Sequence, residues 1–215
     1  MGLRPTRLKM IHRLIDQNTD EWLDIRRGKA TASQFHTIMA HFGKGFGDPA
    51  LDYALNIALE RVTGERSLSS FKGNADTIRG HEQEPMAVEA YENETFSTVR
   101  KGGFFDCDSY GCSPDGLVDG NGAIEIRSCQ PHVHYQNMRR GGIIPAKKWQ
   151  IMGYFLCCGV DWVDCISFSP QFPEGKQLFI HRADKKDYLK EVANLSERLK
   201  EFEAEVEKIR KELTL

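Results

Sequence analysis

A chain of 215 residues, 40% hydrophobic and 28% charged, holds enough apolar material for a full-sized core and is too apolar for intrinsic disorder, so a single domain over 1–215 is expected. The formal net charge of −2 excludes a globally basic nucleic-acid-binding domain, and any contact with phosphate must be local. No apolar run approaches the roughly 20 residues of a membrane span, and no secretory leader pattern opens the chain, so a cytoplasmic location is expected.

Six cysteines form no CxxC pair, and Cys157 and Cys158 are adjacent in an apolar stretch. That usage suits buried thiols in a reducing compartment better than a disulfide framework.

Taken in order, Asn18 to Ile25 offers capping residues before an amphipathic turn, which predicts a short helix. It runs into a basic cluster of Arg26, Arg27 and Lys29, followed by Thr31 and Ser33. These hydroxyls are placed to cap a second helix from Gln34 to about Ala40, and arginine forks with hydroxyls are groups that hold phosphate. Gly43 to Pro49, with three glycines, predicts a mobile loop and lacks the ending of a P-loop. Leu51 to Val62 has helical spacing and stops at Thr63-Gly64. Another helix is expected from Asn74 to Glu94, with a kink or restart at Gly80 and Pro85.

Thr98 to Phe105, Gly116 to Val118 and Ala123 to Arg127 read as strands. Pro145 to Cys158 reads as a helix, with Pro145 suited to its first turn and Gly159 to its end. Trp162 to Phe168 and Gln177 to His181 read as two more strands. His132, His134, Arg139 and Arg140 fall in what reads as a polar loop. Tyr188, Val192, Leu195, Leu199, Phe202, Val206, Ile209 and Leu213 form a heptad seam, which packs either on its own domain or against a partner helix.

The stretch Cys112 to Ser128 carries the chemistry. Asp119-Gly120-Asn121-Gly122 is a hairpin turn, because such turns need residues that tolerate positive φ. Folding there brings Asp115 close to Glu125, and strand alternation puts Glu125 and Arg127 on one face. Two converging carboxylates beside a cation suit a divalent metal next to a phosphate.

Ser113-Pro114-Asp115-Gly116-Leu117, the turn, and Ile124-Glu125-Ile126-Arg127 resemble the core of the phage lambda exonuclease-like viral recombination nucleases. That family belongs to the restriction-endonuclease-like superfamily, PD-(D/E)xK, with its D…ExK motif. Trp22 through Ser33 resembles the family's N-terminal block, Gly80 to Tyr91 its acidic helix, and Gln150 lies where the family has a glutamine. Four ordered blocks cover nearly the whole chain.

The resemblance implies an α/β (α+β) fold with a mixed central sheet flanked by helices and a long C-terminal helix. It implies Mg2+ held by Glu84, Asp115, Glu125 and the main-chain carbonyl of Ile126, as two ions that Mn2+ can replace. Gln150 would help position the attacking water, and Arg26 and Ser33 would hold the terminal 5′-phosphate. The implied reaction is 5′-to-3′ digestion of one strand of double-stranded DNA from its end, leaving 3′ overhangs. The implied partners are duplex DNA ends, a single-strand annealing protein and two further copies in a toroidal homotrimer, in a phage-infected or prophage-bearing bacterial cytoplasm.

Arg127 departs from the pattern, which has lysine there. Arginine is a larger planar fork that cannot serve as a compact ammonium. Arg127 stays a candidate for stabilising transition-state charge, and Arg127→Lys is expected to raise activity. The alternative is a weakened or inactive DNA-end-binding protein of the same fold. A further alternative, a structural zinc site, rests on Cys107, Cys112, Cys129, His132 and His134.

Overall fold

Short apolar runs punctuated by turn residues become strands and helices that come in runs of one kind; the computed structural model describes residues 10–67 and 75–215. The first elements are β1 (Ile11–Arg13), α1 (Asp20–Arg26), β2 (Ala30–Thr31), α2 (Phe35–Met39) and α3 (Asp48–Thr63). They are followed by α4 (Ala75–Thr95), β3 (Val99–Lys101), β4 (Phe104–Asp106), β5 (Tyr110–Cys112), β6 (Gly116–Val118) and β7 (Gly122–Ser128). The last are α5 (Pro131–Arg140), α6 (Lys148–Cys157), β8 (Trp162–Phe168), β9 (Leu178–Asp184) and α7 (Leu189–Glu212).

One sheet has the order β3-β6-β7-β8-β9 and the other β1-β4-β5-β2. Among the described residues only β7–β8 and β2–β5 are parallel, so both sheets are mixed. The expected strand from Thr98 to Phe105 is two strands, one in each sheet. The chain crosses between them at Gly102 and Gly103. A Cβ on Gly102 would lie 1.9 Å from the Pro114 carbonyl oxygen, and Gly103 has φ +66°, so neither position admits a side chain without strain.

Residue alternation along β7 and β8 gives the larger sheet two faces. Ala123, Val163 and Cys165 point into the main core with α6 and α7. Ile124, Ile166 and Phe168 pack on Ala87 and Tyr91 of α4. Glu125 shares the odd-numbered face of β7 and therefore looks toward α6.

The C-terminal seam packs on its own domain. Leu195, Leu199, Phe202 and Val206 are buried against the main core, which includes Ala54, Ile57 and Ala58 of α3; each large apolar side chain so buried contributes roughly 1.5–3 kcal/mol. On the same helix Arg198 is 2% exposed. Its guanidinium donates to the carbonyls of Ile38 (3.0 Å) and Lys44 (3.1 Å) and covers the Phe46 ring at 3.7 Å. The glycine-rich segment expected to be mobile is thus fastened to α7.

Other expectations need correction. α4 runs through Gly80 and Pro85 as one helix, and its expected start at Asn74 lies outside the described residues. Thr31 and Gln34, at the two N-cap positions before α2, make no side-chain cap. The segment read as a polar loop is α5, with Pro131 in its first turn and Gly141 at φ +65° closing it. Among the described residues no helix is long and apolar enough to cross a membrane.

Candidate active site

The β6–β7 hairpin turns through Gly120 (φ +80°) and Asn121 (φ +60°), with Val118 opposite Gly122. Asp115, just ahead of β6, is anchored by its own N–H to the Ile124 carbonyl at 3.2 Å. Its Oδ2 accepts the Ile126 N–H at 2.6 Å. Burial, then the nearby charges of Glu125 and Glu84, push the Asp115 carboxyl well above its usual range. A half-buried carboxylate beside two others calls for a cation.

Glu125 is 5% exposed and is met by three groups from one helical face. Lys147, Gln150 and Tyr154 are spaced i, i+3, i+7 through the 3-10 turn Pro145–Lys147 and α6, so they stack along one side. Lys147 Nζ lies 2.7 Å from Glu125 Oε1. Gln150 Nε2 donates to Glu125 Oε2 at 2.9 Å, and the Tyr154 hydroxyl donates to the same oxygen. Lys147 also donates to Gln150 Oε1 at 2.9 Å. Burial works against the charge on Lys147, but Glu125 and Asp115 outweigh it and hold the ammonium above its ordinary value. Burial and the same two acids keep Tyr154 protonated, raising it well above its usual value.

The N-terminal block closes the other side. Trp22 Nε1 donates to Ser113 Oγ at 2.8 Å, tying α1 to the segment that carries Asp115. Arg26 lies over the Trp22 ring at 3.6 Å and donates to Thr31 Oγ1 at 3.4 Å, which lies 3.3 Å from Ser33 Oγ. Enclosure by protein pulls Arg26 down to about 10, and no carboxylate pairs with it among the described residues. A partly enclosed guanidinium without an acid partner is a receptor for an external anion.

One cavity of about 390 Å3 gathers these groups. Arg26, Ser33, Glu84, Asp115, Glu125, Ile126 and Gln150 all line it, as do Lys147, Tyr154, Trp22 and Thr31. Arg127 does not. It is exposed and instead borders a small void behind Glu125, shared with Ile144 and Lys147.

Among the described residues, no three His, Cys, Asp or Glu side chains stand close enough together to hold a metal. Glu125 is engaged by Lys147, Gln150 and Tyr154 and Asp115 by the Ile126 N–H. The donors still fit a hard divalent cation: carboxylates and a main-chain carbonyl face one cavity, and a protein ammonium already stands at Glu125 where positive charge is required.

The zinc reading fails. Cys107 and Cys112 belong to the main core; Cys112 Sγ lies 3.2 Å from Cys158 Sγ, and Cys107 Sγ reaches the Cys157 carbonyl. His134 is fully buried, with Nε2 donating to the Lys176 carbonyl (3.0 Å) and Nδ1 against the Ser167 hydroxyl (2.9 Å). The cysteines form no disulfide.

Sequence reasoning missed Lys147 and Tyr154 as parts of this cavity. For both a signal existed, the i, i+3, i+7 spacing with Gln150 just after a helix-starting proline.

A mixed sheet carrying an acidic hairpin under a helix, with an arginine pocket across the cavity, is the architecture of an exonuclease fold. The alkaline exonuclease LHK-Exo from Laribacter hongkongensis is similar over 91% of this chain and 98% of its own, at 29% identity and a TM-score of 0.75. The same enzyme in complex with dAMP gives a TM-score of 0.76 at the same identity and coverage. A phage-related exonuclease from Haemophilus somnus 129PT shares the fold at 15% identity and a TM-score of 0.61, over 86% of this chain and 95% of its own. No curated protein matches the sequence. The model of the YqaJ-like viral recombinase domain matches residues 21–161, and the chain belongs to that family.

Proposed function

We propose that this protein is a divalent-metal-dependent exonuclease that acts in recombination by digesting one strand of duplex DNA from its 5′ end. Family membership and the likeness to an alkaline exonuclease support a nuclease. The observation that carries the finer reading is that the Asp115–Glu125 pair and the Arg26–Thr31–Ser33 cluster line one cavity. A site for metal and scissile phosphate thus faces a site for a terminal phosphate.

Glu84, Asp115, Glu125 and the Ile126 carbonyl would hold Mg2+, as two ions that Mn2+ can replace. When bound, the ion neutralises charge on the scissile phosphate and lowers the pKa of a water it holds. Arg26, held flat on Trp22, would grip the 5′-phosphate through its planar fork, with Ser33 as a further donor. Gln150 and Tyr154 keep Glu125 in one orientation, and Gln150 is also placed to orient water. Release of the terminal nucleotide from the 5′ end, repeated, leaves a 3′ overhang for a single-strand annealing protein. Assembly as a toroidal homotrimer in a bacterial cytoplasm belongs to the same reading.

The test uses end-labelled duplexes bearing a 5′-phosphate or a 5′-hydroxyl, with Mg2+ or with EDTA. Mononucleotide release that needs Mg2+ and prefers the phosphate is expected. Duplex binding without metal-dependent release supports the second reading, a DNA-end-binding protein, which the position of Arg127 outside the cavity favours.

A further inference from the structure

We infer that Lys147 supplies the catalytic ammonium that the D…ExK pattern would place at position 127, reaching the same carboxylate from a helix instead of from the strand. This rests on the nuclease reading above.

Two observations carry it. Arg127 stands two residues after Glu125 on β7 and on the same face, yet it is exposed and does not line the cavity. Lys147 comes from the 3-10 turn that starts α6 and does line it, with its side chain 23% exposed and Nζ bonded to Glu125 Oε1 and Gln150 Oε1. Arg127 and Lys147 border the same small void beside Glu125, but of the two Lys147 alone also lines the cavity. The cation at Glu125 that faces the cavity is therefore a compact ammonium.

The chemistry follows from valence. An ammonium has three N–H donors. Two are engaged, by Glu125 and Gln150, which leaves one for a phosphate oxygen or the attacking water. In hydrolysis the water oxygen bonds to phosphorus, and the bond from phosphorus to the 3′-oxygen of the outgoing nucleotide breaks. That oxygen leaves as a hydroxyl with a proton from solvent, and the water's proton passes to solvent. Lys147 exchanges no proton; it stabilises the charge gathering on the phosphate oxygens.

The competing explanation is that Lys147 only neutralises buried Glu125. The two differ in a measurable way, because a counter-charge becomes dispensable once a metal takes Glu125, whereas a transition-state group does not. The experiment compares wild type, Lys147→Met, Lys147→Arg, Arg127→Lys and the double variant Lys147→Met/Arg127→Lys. Melting temperature, Mn2+ affinity by calorimetry, and kcat and KM on 5′-phosphorylated duplex at saturating Mg2+ are measured for each.

Lys147→Met is expected to bind Mn2+ more tightly, because a competing cation is gone, and to lose about 100-fold in kcat with KM within threefold; one positioned electrostatic donor is worth about that much. Lys147→Arg, which keeps the charge and guards against misfolding, should melt like wild type and still lose at least tenfold in kcat. The double variant should recover at least tenfold over Lys147→Met, because position 127 then carries the compact cation. Arg127→Lys alone should change kcat less than threefold, in place of the rise expected from the motif alone. Wild-type turnover with Lys147→Met or Lys147→Arg within threefold of it would overturn the role of Lys147 and leave the nuclease reading standing. A wild type that releases no nucleotide with Mg2+ would overturn the nuclease reading and the role of Lys147 together.

Discussion

Tyr154 donates its hydroxyl to Glu125 from the turn of α6 beyond Gln150, and Gln150 donates both to that hydroxyl (2.6 Å) and to the same carboxylate (2.9 Å). The three groups form a closed triangle inside the protein, so the orientation of Glu125 is set by α6 as much as by its own strand. Tyr154→Phe removes one corner without changing shape. A buried hydrogen bond to a charged group is worth about 1.5–3 kcal/mol, and urea unfolding of the variant should show a loss in that range. Turnover should fall as well, since Glu125 gains freedom. Unchanged stability and unchanged kcat would mean the hydroxyl holds nothing.

Arg26 is the cation that faces the cavity from the N-terminal block. Its ring stack on Trp22 and its bond to Thr31 orient the guanidinium before any ligand arrives. Arg26→Lys keeps the charge but loses the planar fork and the stack. The ratio of digestion rates on 5′-phosphorylated and 5′-hydroxyl duplexes should fall by about tenfold or more, the equivalent of one charge-assisted hydrogen bond. The loss should lie mainly on the phosphorylated substrate. Equal loss on both duplexes would assign Arg26 to general DNA binding.

The hairpin was legible because its determinants are local: Gly120 and Asn121 tolerate positive φ, and alternation does the rest. The α7 seam was legible for the same reason, through a period repeated over seven turns. The sheet partners were not. β1, β2 and β5 are two or three residues long, and what makes them strands is pairing with segments as much as about 90 residues away, which no local pattern encodes. The break at Gly102-Gly103 depends on the approach of Pro114 and Arg13, a tertiary fact. Asp115 and Glu125 were legible from the hairpin, Gln150, Glu84, Arg26 and Ser33 through the family resemblance, and all six line one cavity. Lys147 escaped notice because attention rested on position 127, where the motif puts its cation.

Arg198 offers a test of how the segment before α3 is held. It is a buried arginine whose donors serve the Ile38 and Lys44 carbonyls, with Glu201 Oε2 at 2.7 Å as its acid partner. Arg198→Met keeps much of the apolar stem but leaves those carbonyls without their donor. A loss of about 1–3 kcal/mol in denaturant unfolding is expected, the cost of leaving a buried acceptor without its donor, because Glu201 is half-exposed and stays solvated without the arginine. Limited proteolysis should then cut between His41 and Gly47 in the variant and spare the wild type. Resistance to cleavage with unchanged stability would show that Phe46 packing alone secures the segment.

Asp115 makes the opposite prediction, because it is a residue whose charge strains the fold it sits in. Its carboxylate is half-buried close to Glu125 and Glu84, and one backbone N–H is its main compensation. Asp115→Asn keeps the shape and an oxygen able to accept the Ile126 N–H, while removing one of three like charges. In EDTA the variant should be more stable than wild type by about 0.5–2 kcal/mol, the usual gain when a functional site is relieved of strain. In wild type, Mg2+ at a hundredfold excess over its Kd should add about 2.7 kcal/mol, because a ligand that binds only the folded state stabilises it by mass action. The variant should lose most of that response together with nuclease activity. Thermal unfolding of both proteins, with and without Mg2+, checks both statements. A variant less stable than wild type in EDTA would show that the Asp115 carboxylate is a net structural contributor and that its neighbours do not repel it.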